Sequence, residues 1–373
     1  MNILLAPDSF KGSLSSMEAA KIMREAIKEI CNDEVTIKPM ADGGEGTIEA
    51  ILSATEGKEI QLTCSGPLGN SIQSSYAIID GNTAIIETAL LAGLTQVPNE
   101  KRNPEYTTTY GIGEAILDGL ERGCTSFIIG LGGSATNDGG LGMLQALGLR
   151  AWDEDGNTLT GFGSDLKNIH KISTEHLDPR LDEISIKVAC DVDNPLCGPN
   201  GASYIYGPQK GGTAEQVEFL DKALDNFGSL LEKDRNLSLK TIPGAGAAGG
   251  LGFALLALGG ELVSGAQLIA QATLLEETLK KSDLVITGEG QSDQQTLFGK
   301  APGYIADLAN KHDIPILLIS GSLGDDSDKL REKFNGCFSI VNKPLSLEAC
   351  MEHSSELLAK QTKQIITLIH SFY

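Results

Sequence analysis

Residues 2–47 read NILLAPDSFKGSLSSMEAAKIMREAIKEICNDEVTIKPMADGGEGT. Asn2 to Pro7 is a short apolar strand, followed by a polar loop from Asp8 to Ser16. Ser16 is placed to cap a helix expected over 17–30. Glu34 to Met40 reads as a second strand ending in the glycine-rich bend 41–47, and a further helix is expected over 48–56. Strand, loop and helix, repeated, is the pattern of a parallel α/β sheet. In such sheets ligands bind beyond the carboxyl ends of the strands. The loops after Pro7 and Met40 are therefore the first places to look for chemistry.

From about Lys58 to Glu87 the pattern changes to short segments broken by Gly-Pro and Asp-Gly turns, which suggests antiparallel strands. Helices are expected over 109–122, 138–147 and 213–234, with buried strands at 126–129 and 184–189. In the 213–234 helix, Val217, Leu220, Leu224, Phe227 and Leu231 recur at three- or four-residue spacing. The last third returns to α/β: strands at 284–287, 314–320 and 337–341, a helix at 303–312, and a helix or helix pair at 347–369. The fold class is thus α/β. The expected organisation is a discontinuous parallel α/β domain from residues 1–57 and 281–373, with a mixed α/β domain, 58–280, inserted. The active-site cleft is expected between them.

The 373 residues carry 29 Lys+Arg against 50 Asp+Glu, a formal charge of −21. Nucleic acid and anionic membranes need a basic face, so neither is expected as a partner; a small anionic substrate is compatible with a local basic site. The N-terminus has no basic start and no long apolar stretch, unlike a secretory signal. The apolar region 242–260 is interrupted by glycines and a proline, and its longest glycine-free run is Phe253 to Leu258. A span needs about 20 mostly apolar residues, so a buried loop and helix is the better reading. Seven scattered cysteines with no C-x-x-C pair suggest reduced thiols in a cytoplasm, not a disulfide frame or a zinc site. No histidine has a metal partner at helical spacing. A homodimer is left open.

Six loops combine glycine with carboxylate, Lys, Asn or Ser/Thr. In the first, Asp8, Ser9 and Lys11 are candidates for binding substrate, Lys11 as a compact charge for a phosphate or carboxylate; a solvated turn explains the loop equally well. In the second, Asp42 and Glu45 among three glycines could hold Mg²⁺, which favours one or two carboxylates plus phosphate and water. The third, 130–140, opens a helix, and Gly132, Gly133, Ser134 and Asn137 are candidates for a nucleotide phosphate. Gly130, Gly132 and Ala135 also match a dinucleotide fingerprint, with Asp153 near the ribose-binding position. The fourth places Asp191 and Asp193 at a strand end, either able to accept a hydroxyl proton or ligate Mg²⁺. Lys210 is a further candidate for an anionic group, or a plain exposed turn lysine. The fifth contains Gly244, Gly246 and Gly249, suited to close approach by a polyphosphate or by another helix. In the sixth, Glu289 and Asp293 are metal or base candidates and Lys300, after Gly299, a phosphate contact.

The P-loop, protein-kinase and serine-hydrolase signatures are absent. Acids, lysines and glycine-lined loops without histidine or cysteine chemistry fit phosphoryl transfer, in which positioning and charge stabilisation do most of the work. An NAD(P)-dependent oxidoreductase and a non-catalytic ligand-binding protein are the alternatives.

With all six loops quoted, APDSFKGSLS, ADGGEGT, GLGGSATNDGGLG, ACDVDNPL with GPQKG, PGAGAAGGLG and ITGEGQSDQQT…GK stand in the order and spacing of the type I glycerate kinases, and the chain resembles that family over essentially its whole length. The resemblance implies ATP-dependent phosphorylation of glycerate with Mg²⁺, most often at the 2-hydroxyl, and a Rossmann-like domain built from both chain ends. Gln291-Ser292 departs from the family, where Arg and an apolar residue are common. As a mechanism, Asp42, Glu45 and Glu289 are expected to hold Mg²⁺. Asp191 is expected as the base, with Asp293 second, and Lys11 or Lys210 is expected on the substrate carboxylate.

Overall fold

Ile3, Leu4 and Leu5 are all buried, whichever face they point to. A strand covered on both sides has no polar face to alternate with, as expected inside a parallel sheet. The computed structural model, which describes residues 1–297, 300–325 and 327–372, places this strand, Asn2–Leu5, within a five-stranded sheet. The strand order is Gly336–Ser339, Ile316–Leu323, Leu284–Ser292, Asn2–Leu5, Glu34–Ile37, and every pairing is parallel. Gly299, part of the sixth loop, lies outside the described residues.

The helix after the first loop runs Ser16–Lys28. Its cap is Ser15, not Ser16: the Glu18 N–H donates to Ser15 Oγ at 3.2 Å, and Glu18 Oε2 accepts from the Ser15 N–H at 2.8 Å. The reciprocal pair needs Glu at the third helical position, which only Ser15 provides. Met23 and Ile27 on this helix and Leu357, Leu358, Ile365 and Ile366 on the helix Ser354–His370 share a core with Ile3, Leu5, Ile286 and Ile319 of the sheet. The C-terminal region is a helix pair, Leu347–Glu352 and Ser354–His370.

The chain divides into two compact units. The first, just described, comprises residues 1–42, 49–55 and 264–373; the second comprises 43–48 and 56–263. The helices Gly265–Ala272 and Leu275–Leu279 pack with the first unit, beside the helix Ala301–Lys311.

The second unit holds a six-stranded sheet ordered Glu261–Val263, Ser185–Ala189, Ser126–Gly130, Thr83–Glu87, Ser71–Ile79, Gly57–Ser65. The last three are antiparallel and the others pair in parallel. The long helix, Ala214–Arg235, buries Val217, Leu220, Leu224, Phe227 and Leu231 as their spacing predicts. The helix expected from 138 begins only at Leu141, because Gly139 and Gly140 are left-handed. In the glycine-rich region, Ala248, Gly249 and Gly250 interrupt the helix Ala247–Ala257 with positive φ, and the segment is buried in the unit's own core. Among the described residues, no helix is long and apolar enough to cross a membrane.

Candidate active site

In the first unit, the chain leaves Asn2–Leu5 toward Glu34–Ile37 on one side, and Leu284–Ser292 toward Ile316–Leu323 on the other. Such a switch point is where a parallel sheet opens a crevice at its carboxyl edge. Here the Asp8 N–H donates to the Gly288 carbonyl at 2.8 Å, tying the first loop to the sixth. Asp8 is buried, only 7% exposed. Burial, and then the negative charge of Asp42, push its carboxyl up to about 7, with Glu289 adding to the effect. The Ser9 N–H, donating to Oδ1 at 2.6 Å, and Lys11 pull the other way. Lys11 Nζ lies 3.1 Å from Asp42 Oδ2, on a side chain that is 78% exposed, and the Asp42 charge holds its ammonium above the usual range.

Glu289 stands at the end of the neighbouring strand. Its Oε1 accepts from Ser292 Oγ at 2.9 Å and Thr296 Oγ1 at 2.7 Å, and its Oε2 lies 3.7 Å from Lys300 Nζ. Ser292 Oγ in turn bonds Ser320 Oγ at 2.7 Å. The hydroxyls fix the carboxylate's orientation while Lys300 stays part-exposed. Asp293 is used locally: its Oδ1 accepts from the Gln295 N–H at 2.7 Å, at the start of the short 3₁₀ helix Gln294–Leu297. Asp8, Asp42 and Glu289 are hard oxygen donors, the kind Mg²⁺ prefers. No three of them converge within 4.8 Å, so one or two would ligate at a time.

In the second unit, the segment Gly43–Ile48 lies over the carboxyl ends of three parallel strands. The Gly132 N–H donates to the Gly43 carbonyl at 3.3 Å, and a Cβ on Gly130 would fall 2.2 Å from that same oxygen. The Ile48 N–H donates to Glu87, a buried carboxylate at the end of Thr83–Glu87. The second and third loops thus meet, and their glycines are required by that meeting. Glu45 is exposed on this segment, and Asp191 and Asp193 are exposed two and four residues beyond the strand Ser185–Ala189.

The third loop is otherwise walled in. Gly133 is exposed and Gly132 partly so, but Ser134 is buried, and Thr136, Asn137 and Asp138 are fully enclosed. Asp138 accepts from the Thr109 N–H at 2.8 Å, Thr109 Oγ1 at 2.7 Å, the Gly140 N–H at 3.1 Å and the Gly142 N–H at 3.3 Å. The N–H groups expected to meet a phosphate at the helix start are therefore spent on the protein's own carboxylate. Asn137 Nδ2 donates to Ser203 Oγ at 2.8 Å. Lys210, read as a turn lysine or an anion contact, is 2% exposed; its Nζ donates to Ser134 Oγ at 2.9 Å and the Thr136 carbonyl at 2.6 Å. Burial brings its ammonium down to about 7, against the opposing pull of Asp138. In the fifth loop, a Cβ on Gly246 would fall 2.2 Å from the Pro195 carbonyl oxygen and one on Gly249 2.0 Å from that of Thr136, while Gly244 abuts Leu262 and Cys190. These close approaches are to protein.

Two features escaped the sequence reading. Asp8 was grouped with substrate contacts, with no sign of its buried carboxyl. Glu87 and Ser320 were not singled out; the only available signal was a polar residue at the end of an apolar strand.

A family model described as the glycerate kinase family matches residues 3–370. The chain belongs to the glycerate kinase family. It is 44% identical over 369 residues to glycerate 2-kinase from Escherichia coli, covering 98% of this chain and 97% of that one. It is 42% identical over 367 residues to a glycerate kinase from Halalkalibacterium halodurans, covering 97% of each. A crystal structure assigned to a glycerate kinase 2 from Salmonella typhimurium LT2 superposes with a TM-score of 0.88 at 41% identity, over 100% of this chain and 98% of that one. The chain is therefore an enzyme, a kinase acting on small molecules, with ATP implied as a substrate. The dinucleotide and non-catalytic readings are set aside.

Proposed function

We propose that this member of the glycerate kinase family transfers the γ-phosphoryl group of ATP to the 2-hydroxyl of glycerate, giving 2-phosphoglycerate. The observation that carries the reading is the Asp8, Lys11, Asp42, Glu289 and Lys300 group at the switch point of the first unit's sheet, where no histidine or cysteine takes part. The 2-hydroxyl is favoured by the relative named glycerate 2-kinase.

Asp42 and Glu289, with Asp8 beside them, would hold Mg²⁺; Glu45 is the further candidate from the second loop. When bound, the metal supplies charge neutralisation at the phosphates. Lys11 neutralises an anionic oxygen through a side chain free to reach outward. Lys300 meets a second one, balanced at rest by Glu289. Asp191, exposed past its strand end, accepts the hydroxyl proton as the oxygen attacks the γ-phosphorus and the bond to the departing ADP breaks. Lys210 and Asp138 act from within, holding the third loop in shape so that Gly132 and Gly133 stay at the surface. Asn137 and Gly244, Gly246 and Gly249 serve packing in this proposal, not the nucleotide. A cytoplasmic location fits these substrates and the free thiols.

The test is an ATP-coupled assay across small hydroxy acids, with phosphorus NMR of the product. Turnover with D-glycerate and a 2-phosphoglycerate resonance are expected. A 3-phosphoglycerate product would overturn the regiochemistry, and ATP turnover that ignores glycerate would overturn the activity.

A further inference from the structure

No cysteine or histidine serves the site above, yet three potential metal-ligating groups converge elsewhere in the first unit. The Cys31 thiol, an Asp33 carboxylate oxygen and a His370 ring nitrogen all lie within 4.8 Å of one another, the one such group of three among the described residues. Cys31 follows the helix Ser16–Lys28, Asp33 precedes the strand Glu34–Ile37, and His370 ends the helix Ser354–His370. The group therefore lies at the amino edge of the parallel sheet, the edge opposite Asp8 and Glu289.

Asp33 is the hub, with a side chain only 8% exposed. Its Oδ1 accepts from the Met1 α-amino group at 2.8 Å, and its Oδ2 lies 2.8 Å from His370 Nε2. Burial opposes its charge, but hydrogen bonds from the α-amino group, His370 and Cys31 outweigh that and hold the carboxyl below its ordinary range. The amine and the imidazole both engage the Asp33 carboxylate, and the thiol lies beside them. Burial pushes that thiol up, and it also makes a long contact to the Ile27 carbonyl at 3.6 Å.

We propose that Cys31, Asp33 and His370 form a binding site for a divalent transition cation of the zinc class. Thiolate, imidazole and carboxylate are the donor set zinc takes, usually with a fourth ligand completing a tetrahedron. Bonds of about 2.0–2.3 Å require the group to rearrange locally around the ion, the imidazole and carboxylate exchanging their mutual hydrogen bond for it. Magnesium, which prefers an all-oxygen set, is a poor match. On binding, the thiol proton leaves to solvent, the neutral imidazole ligates through a ring nitrogen, and water fills the fourth position. The cation would clamp the segment 31–33 to the last turn of the chain's final helix. It would thus stabilise the first unit without touching the reaction.

The full-length protein, stripped with a chelator, is titrated with Co²⁺, Zn²⁺ and Mg²⁺. One Co²⁺ per chain is expected, with thiolate-to-cobalt charge-transfer absorption that Zn²⁺ displaces and Mg²⁺ does not, and a rise in the thermal midpoint with Zn²⁺. Cys31→Ser should abolish the absorption, His370→Ala should weaken cobalt binding roughly tenfold or more, and Cys350→Ser should leave both unchanged. Absence of the absorption, or its survival in Cys31→Ser, overturns the site. If Cys31→Ser fails to fold, His370→Ala decides alone, and unaltered cobalt binding in that variant overturns it.

Discussion

The two units use one vocabulary of glycine, carboxylate and lysine for opposite ends. In the first, Lys11 reaches outward from a side chain 78% exposed, and its partner Asp42 lies at the unit's edge. In the second, Lys210 is 2% exposed and both of its hydrogen bonds go inward to the third loop. Asp8 and Asp138 make the same contrast among acids. Asp8 is opposed by neighbouring acids, whereas Asp138 is satisfied by four donors from its own fold. Lys11 is exposed to an incoming anion, whereas Lys210 and Asp138 are enclosed and hold a loop's shape.

If that distinction is right, the largest effect comes from Lys210→Met. Loss of the lysine leaves Ser134 Oγ and the Thr136 carbonyl without their buried donor, and an unsatisfied buried group costs about 1–3 kcal/mol, so chemical denaturation should show a loss of that order, with activity falling only as folded protein is lost. A stable Lys210→Met variant that has lost turnover would move Lys210 into the chemistry. Next is Asp191→Asn, expected to lower kcat by roughly 10²-fold or more, the scale of acid–base groups. Near-normal turnover in that variant would remove Asp191 from the role of base. Lys11→Met should lower kcat/KM by roughly 10- to 100-fold, as for a lost hydrogen bond to a charged group, without loss of stability.

The titration of the two buried groups gives slopes in different windows. Asp8 binds its proton more tightly when folded, with a pKa of about 7 against 3.8, so its contribution to stability falls as pH rises through that interval. Asp8→Asn in metal-free buffer should therefore be more stable than the parent above pH 7, with the gain vanishing toward pH 3.8. Thermal melts across pH measure it, and a gain that persists undiminished in acid would show that the charge is not the cause. Lys210 binds its proton less tightly when folded, about 7 against 10.5, so it makes stability rise between those values instead.

The smallest effect is expected at Thr136, whose Oγ1 is enclosed without a hydrogen-bond partner. Replacing an unsatisfied hydroxyl by a methyl of similar shape is nearly neutral or favourable, so Thr136→Val should shift stability by less than about 1 kcal/mol and leave KM alone. A raised KM would show that the enclosed wall of the third loop opens during turnover.

Much of this architecture was legible in residue order. Apolar runs such as Ile3-Leu4-Leu5 and Leu284-Val285-Ile286 mark doubly covered strands, and the stripe from Val217 to Leu231 marks a helix with one buried face. The carboxylates of the first and sixth loops were legible too, Asp8 past the end of its strand and Glu289 toward the end of its own. What a glycine is for was not. Gly130 and Gly249 have the look of phosphate-binding glycines, but the atoms that need their missing Cβ are the Gly43 and Thr136 carbonyl oxygens, distant in sequence. Burial of Lys210 was hidden for the same reason, since Ser134 and Thr136 lie 76 and 74 residues away. Asp33 and His370, 337 residues apart, share no local spacing at all.

The short stretch Gly43–Ile48 is assigned to the second unit although sequence on both sides of it belongs to the first. Excising the second unit as the continuous fragment 56–263 would leave behind the backbone oxygen that seats Gly132 and the amide that engages Glu87. A recombinant fragment cut at that point would lack the Ile48 amide beside Glu87 and carry a furrow along the strand ends. Supplying the six-residue strip as a peptide, or fusing it ahead of residue 56, is the remedy this anatomy dictates.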